Sequence, residues 1–132
     1  MRYLLHAFIV VAFALNLTPT LYRVVTGKRL HFHVVKSESM APALRRGDLV
    51  ISRSPDGDLR EGKIILYNSM DGTTIIHRVL ETRREGNGTL FVTKGDASPN
   101  RDPPVKKEEI LGVLVLRIPS LGYPFLRLSS SF

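Results

Sequence analysis

A long apolar stretch near the amino terminus constrains this chain more than any other feature. From Tyr3 to Val25, 17 of 23 residues are apolar, and Ala7 to Leu15 contains no polar residue. A helix of about 20 apolar residues is long enough to cross the hydrocarbon core of a bilayer. The sequence therefore predicts a membrane anchor in residues 1–25 and a separate domain in residues 26–132.

A second interpretation of the same stretch is a cleavable signal peptide. Arg2 would form its basic end, and Ala12-Phe13-Ala14 has the small-x-small pattern of a cleavage site. Apolar residues continue past that site, from Leu15 to Val25, which favours a permanent anchor.

The charge of the chain does not point to a nucleic acid. The net charge is +7 over 132 residues, but residues 26–132 hold 17 bases against 12 acids. These bases form scattered pairs, not a basic helix, and they do not alternate with aromatic side chains, so no nucleic-acid partner is expected. A mildly basic surface suits anionic lipid headgroups. By the positive-inside rule alone, the bases that flank the apolar stretch slightly favour a cytoplasmic domain.

Residues 26–132 are predicted to form a mainly β domain. Alternating apolar residues and turn signals predict six strands, at 30–35, 49–53, 63–68, 73–83, 89–94 and 110–118. Asp71-Gly72 is a hairpin signal between the third and the fourth strand. Many short strands favour a small antiparallel β-barrel-like or sandwich-like domain beside one N-terminal transmembrane helix. The apolar end, 114–128, is expected to rest on the bilayer.

Three polar features stand out within the predicted domain. Ser37 and Ser39 lie in a loop after the first strand, where serine commonly serves in a turn or caps a helix. His77 lies on an apolar strand face, which is usual for a core histidine but also suits a half-buried general base. The loop 94–104 carries carboxylates that are either solvated turn residues or a partner for the imidazole.

Together these groups supply the parts for nucleophilic acyl transfer. A serine hydroxyl is a weak nucleophile until a base takes its proton, and a carboxylate can hold that base in the correct tautomer. The oxyanion that forms needs fixed donors, such as a loop N–H and a neighbouring hydroxyl. Because the chain has no cysteine, a thiolate nucleophile, a disulfide scaffold and a Cys-type zinc site are excluded.

Three segments resemble, in order and spacing, the sequence boxes of type I signal peptidases. Ser37-Glu38-Ser39-Met40-Ala41-Pro42, followed by Leu44-Arg45-Arg46-Gly47-Asp48, looks like the nucleophile box. Ile76-His77-Arg78-Val79 looks like the general-base box in its archaeal and endoplasmic-reticulum form, where His replaces the bacterial Lys. Thr93-Lys94-Gly95-Asp96 with Asp102 looks like the acidic box.

The resemblance implies a serine endopeptidase that removes signal peptides from secretory precursors after small residues, of the Ala-x-Ala type. Ser39 matches the nucleophile and His77 the general base. The Ser39 N–H and the Ser37 hydroxyl match the oxyanion hole. Asp102 matches the acid that supports the histidine, and Asp96 matches the first acid of its box. No metal and no cofactor are implied.

The resemblance also implies partners and a location. The cleavage segment of a precursor would lie extended beside a strand, in pockets walled by Met40, Ile75 and Ile76. The family places its domain on the extracytoplasmic side of the cell membrane, or in the endoplasmic-reticulum lumen of a eukaryote, which overrides the charge-based preference. The expected partners are secretory precursors and the lipid bilayer, and a need for accessory subunits stays open. Where the family usually has two Asn residues, this chain has Ala97 and Ser98.

Three other interpretations fit parts of the sequence. A membrane-anchored β domain that binds partner proteins without catalysis would use Ser39 in a turn and His77 in its core. A self-cleaving protease related to the repressor-cleaving enzymes would use Lys as its base, and His77 argues against that. A secreted basic protein would lose its first segment.

Overall fold

The chain divides at residue 30 into an amino-terminal helical unit and a β-rich unit. The computed structural model describes residues 2–26, 29–55, 57 and 59–129. The elements are α1 (Arg2–Thr26), β1 (Leu30–Val34), β2 (Leu49–Arg53), β3 (Ile64–Asn68), β4 (Thr74–Glu85), β5 (Gly88–Lys94), β6 (Val105–Lys106), a 3₁₀ turn (Lys107–Glu109), β7 (Ile110–Ile118) and α2 (Tyr123–Ser129).

Helix α1 has the length and composition of a membrane span. Its segment Tyr3–Leu21 has 19 residues with a mean hydropathy of 1.8. At about 1.5 Å per residue, such a segment extends roughly 29 Å, close to the hydrocarbon thickness of about 30 Å. The predicted helix is therefore confirmed, and apolar side chains such as Phe8 and Leu15 are exposed along it.

The polar residues within α1 bond back to the helix itself. The Asn16 side chain donates to the carbonyl oxygen of Ala12 at 2.7 Å. Pro19 has no N–H, so it cannot serve the carbonyl of Leu15 one turn earlier. Thr18 Oγ1 lies 3.1 Å from that carbonyl oxygen and supplies a donor in its place. These bonds reduce the cost of polar groups in lipid, where water is absent.

In the described residues, the β-rich unit contains one seven-stranded sheet with the order β1-β2-β7-β3-β4-β5-β6. The pairs β2–β7, β7–β3, β3–β4, β4–β5 and β5–β6 are antiparallel. The predicted mainly β fold is confirmed. Strands β2 and β7 have the predicted bounds, and the other four predicted strands differ by one or two residues at their ends. The predicted hairpin is also present, with Gly72 at φ +80° and its N–H donating to Ser69 O at 2.9 Å.

Two short elements differ from the sequence prediction. Strand β6 has only two residues and follows Pro103-Pro104, so it has no alternating pattern to reveal it. Helix α2 lies in an apolar segment that contains Pro and Gly, where no helix was predicted from the sequence. Its proline, Pro124, stands in the first helical turn, where a missing N–H is tolerated.

Each face of the sheet packs against a core cluster. One core cluster comprises Ile65, Tyr67, Val79, Phe91, Val105, Ile110 and Val113. A second cluster comprises Val35, Met40, Leu44 and Val50. Side chains alternate along β3, so Ile65 joins the first cluster while Ile64 packs against the second.

Buried Asp48 ties the loop after β1 to the end of the chain. One of its carboxylate oxygens accepts from Arg45 N–H at 2.8 Å and from Arg117 Nε at 2.6 Å. The other accepts from Ser120 N–H at 3.1 Å. Burial alone would raise the pKa of Asp48, but these donors and the Arg117 charge hold that pKa below its ordinary value. Asp48 of the nucleophile box therefore has a structural role in this fold.

Candidate active site

The two candidate serines lie on a loop that the second core cluster holds in place. Met40 and Leu44 are each 1% exposed, and Leu44 N–H donates to Met40 O at 2.9 Å. Between β1 and these buried side chains, Ser37 is exposed and Ser39 is half-buried. Their hydroxyl oxygens lie 3.1 Å apart. The loop therefore presents both hydroxyls at one point on the surface.

His77 joins Ser39 to Asp102. Its Nε2 lies 3.0 Å from Ser39 Oγ, and its Nδ1 lies 2.6 Å from Asp102 Oδ2. Since a carboxylate oxygen can only accept, Nδ1 carries the proton and Nε2 is free to accept from the serine hydroxyl. His77 is 8% exposed, so packing fixes the orientation of its ring. This arrangement is the one that lets an imidazole take a proton from a serine.

The sheet brings these distant residues together. His77 lies on β4, opposite Ile65 of β3, and β5 pairs with β4 through Thr93 and Val79. The loop after β5 folds back on the sheet, because Asp102 N–H donates to Thr93 O at 2.8 Å. That bond places the Asp102 carboxylate beside the imidazole.

Asp96 pairs with a different residue. Its two carboxylate oxygens accept from Arg78 Nε at 2.9 Å and from Arg78 Nη2 at 2.7 Å. This ion pair lowers the pKa of Asp96 below its ordinary value. Arg78 also donates through Nη1 to Gly62 O at 2.9 Å. The structure thus brings Asp102 to His77 Nδ1, whereas Asp96 pairs with Arg78, the next residue along β4.

The loop after β5 approaches the nucleophile closely. Ala97 N–H donates to Ser39 O at 2.8 Å. Ala97 stands where the family usually has Asn, and this contact needs no side chain because it uses the backbone. A Cβ on Gly95 would lie 2.5 Å from Ser39 O and 2.9 Å from His77 Nε2. Position 95 of this loop therefore accepts only glycine.

Two buried hydroxyls behind the site were not recognised from the sequence. Thr93 Oγ1 donates to Asp102 Oδ2 at 2.8 Å and lies 3.1 Å from the phenol oxygen of Tyr67. Burial raises the pKa of Tyr67 to about 12, and the charge of Asp102 adds to that effect. Thr93 lies within the acidic box, but a threonine in a strand does not by itself indicate a polar contact. Tyr67 lies in a predicted strand, and nothing else in the sequence indicates that its hydroxyl is near the site.

A groove of about 780 Å³ opens beside Ser39 and His77. Residues 32–37, 39–40, 72–77 and 125–126 line it. Among these lining residues, Met40 is buried, and Ile75 and Ile76 are half-buried. Strand β1 is at one edge of the sheet, and β4 pairs with β5 only from Arg78 onward. In the described part of the chain, β1 and residues 74–77 thus each present a strand edge that pairs with no other strand.

Several curated proteins similar to this chain carry the same description, signal peptidase complex catalytic subunit SEC11. The protein of Yarrowia lipolytica is 34% identical over 101 residues, which cover 68% of this chain and 58% of the relative. The protein of Fusarium vanettenii is 31% identical over 117 residues, 80% of this chain and 68% of the relative. The chain belongs to the type I signal peptidase family. No family model matches it.

The similarity to these signal peptidase subunits does not cover their whole length. The chain spans 58% of the Yarrowia lipolytica relative and 60% of the Zygosaccharomyces rouxii relative, which is also 34% identical.

In the described residues, no group of three or more His, Asp or Glu side chains is arranged to hold a metal ion. The three signal peptidase boxes meet at one place, where Ser39, His77 and Asp102 are in contact.

Proposed function

We propose that this chain is a membrane-anchored serine endopeptidase that removes signal peptides from secretory precursors. The observation that carries the proposal is the continuous line of contacts from Ser39 Oγ through the His77 imidazole to Asp102. This geometry supports a serine nucleophile, a histidine general base and an aspartate that orients the base. Membership of the signal peptidase family supplies the substrate class.

The first half of the reaction forms an acyl-enzyme. Ser39 Oγ attacks the scissile carbonyl carbon while His77 Nε2 takes the hydroxyl proton. The Ser39 N–H and the Ser37 hydroxyl would donate to the oxyanion. When the C–N bond breaks, the imidazolium returns its proton to the leaving amine. The mature protein departs, and the signal peptide stays bound as an ester of Ser39.

The second half releases the signal peptide. A water molecule takes the place of the amine, and His77 Nε2 accepts one of its protons as its oxygen attacks the ester. The tetrahedral intermediate collapses, the C–Oγ bond breaks, and the imidazolium reprotonates Ser39. The Asp102 carboxylate accepts from Nδ1 throughout and stabilises the imidazolium.

The groove suits an extended peptide with small side chains. Free edges on β1 and on residues 74–77 of β4 offer backbone partners for an added strand. Met40, Ile75 and Ile76 line the groove beside Ser39 with branched or long apolar groups. We expect their volume to leave room only for small residues at the positions one and three before the cut.

We place the protein in a membrane, with the β-rich unit on the extracytoplasmic side. Helix α1 supplies a candidate span. Towards the end of the chain, five large apolar side chains are exposed: Val115, Leu116, Leu121, Tyr123 and Phe125. Contact with lipid would remove them from water. Because the relatives are described as subunits of a complex, we also propose accessory subunits as partners.

A synthetic precursor tests this function. We expect the full chain in detergent to cut a precursor whose signal ends in Ala-x-Ala, at the bond after the last Ala, as located by the mass of the products. A matched precursor with Phe in place of that Ala should be cut about 100-fold more slowly, because the pocket cannot accept the ring. Binding of both precursors without any cleavage would contradict the proposal and favour a non-catalytic binding domain.

Gly95→Ala is expected to reduce kcat/KM at least about 100-fold, because the added methyl group displaces the nucleophile and the base. Gly88→Ala, at the start of the strand that precedes Gly95, is the matched control, since its Cβ would lie at an ordinary 3.6 Å from Glu85 O. Cleavage rates and circular dichroism of both variants make the comparison. Wild-type kcat/KM in folded Gly95→Ala would show that the close approach has no role in catalysis.

A further inference from the structure

A pair of buried hydroxyls lies behind the aspartate of the site. Thr93 is 0% exposed and Tyr67 is 4% exposed. Thr93 Oγ1 and His77 Nδ1 both bond to the same carboxylate oxygen, Asp102 Oδ2, at 2.8 and 2.6 Å. The phenol oxygen of Tyr67 lies 3.1 Å from Thr93 Oγ1. The chain of contacts from Ser39 therefore continues into the core.

The direction of the hydrogen bonds follows from the proton count. A carboxylate oxygen can only accept, so the single Thr93 hydroxyl hydrogen goes to Asp102. The phenol oxygen of Tyr67 lies 3.1 Å from Thr93 Oγ1, whose remaining lone pairs can accept the phenol hydrogen once the Thr93 hydrogen is used on Asp102. In this arrangement each of the two hydroxyls donates its single hydrogen to an acceptor.

The two hydroxyls come from opposite sides of the strand that carries the base. Tyr67 lies on β3, opposite Ile75 of β4. Thr93 lies on β5, opposite Val79 of β4. His77 stands midway between Ile75 and Val79. A contact between the two flanking strands thus passes across β4 at the level of the imidazole.

We propose that Thr93 and Tyr67 are positioning residues that hold the Asp102 carboxylate in register with His77. The proposal rests on the proposed peptidase function. Asp102 belongs to the Pro-rich loop after β5, outside the strands, and its side chain is 18% exposed. A rigid donor from the sheet restricts its rotation and fixes which oxygen faces Nδ1. Tyr67 in turn fixes the Thr93 hydroxyl.

Substitution of Thr93 separates this role from simple packing. Thr93→Val keeps the shape and removes the hydroxyl, and we expect kcat to fall about 10- to 100-fold with KM little changed, because a displaced carboxylate orients the base less accurately. Thr93→Ser restores the hydroxyl and should recover most of the lost kcat. Thr89→Val on the exposed part of β5 is the matched control and should leave both constants unchanged.

Proton NMR of the full chain in detergent gives a readout that is independent of activity. Wild type and Thr93→Ser should show a low-field resonance for the His77 Nδ1 proton, assigned by its absence in His77→Ala. In Thr93→Val this resonance should broaden or disappear, because the Asp102 carboxylate is no longer held.

Tyr67→Phe removes one oxygen and keeps the ring in the core. We expect kcat of Tyr67→Phe to be about 3- to 10-fold lower, because the variant loses one hydrogen bond to Thr93 and affects Asp102 only through that residue.

The two hypotheses fail in different ways. Wild-type kcat together with an unchanged resonance in Thr93→Val overturns the positioning role. If Thr93→Val does not fold, the same result in Tyr67→Phe overturns it. If the wild-type chain cuts no precursor at all, the peptidase function fails, and the resonance in the variants still decides whether the hydroxyls hold Asp102 against His77.

Discussion

Ser39→Ala is expected to abolish precursor cleavage, with kcat lowered at least about 10⁴-fold. Ser39 Oγ is the atom that would form the ester, and no other hydroxyl is within hydrogen-bond reach of His77 Nε2 in the described contacts. The fold should be retained, because the contact from Ala97 uses the Ser39 backbone oxygen. Cleavage of a synthetic precursor, followed by mass spectrometry, measures the loss.

Ser37→Ala is the matched control for this prediction. It also removes one hydroxyl from the same loop, but only an oxyanion donor is lost, so we expect a reduction of about 100-fold. Covalent capture of the signal peptide should occur in Ser37→Ala and not in Ser39→Ala. The reverse pattern would assign the nucleophile to Ser37.

His77→Ala should also lower kcat at least about 10⁴-fold, because Ser39 then has no acceptor for its proton. His77→Gln controls for the cavity that the smaller side chain leaves in the buried site. We expect His77→Lys to recover little activity, although Lys is the base of the bacterial enzymes. The imidazole contacts Asp102 through Nδ1 at 2.6 Å and Ser39 through Nε2 at 3.0 Å, whereas a lysine has a single nitrogen on a longer chain and needs a differently shaped pocket.

Cleavage rates of these three variants, with circular dichroism to verify folding, test the role of the histidine. Substantial cleavage by folded His77→Ala would show that another group deprotonates Ser39. High activity in His77→Lys would show that the pocket accepts either base, and that the Asp102 contact is not required for the reaction.

Local sequence patterns predicted most of the fold. Alternation of apolar residues located six of the seven strands that the structure describes, because each of these six has at least five residues, enough to show a period of two. Strand β6 was missed because two residues cannot show a period. Helix α2 was missed because its propensity is weak and its position depends on the turn at Gly122, whose N–H donates to Gly47 O at 2.8 Å.

The sequence alone determined the apolar helix, the β character of the domain and the residue types of the site. The tertiary structure decided which of them meet. Both Asp96 and Asp102 stood in the acidic box, and only the fold sends the first to Arg78 and the second to His77. Thr93 and Tyr67 entered the site in the same way. The physical reason is that periodicity assigns a side chain to a face, whereas its partners come from strand register and loop closure between distant residues.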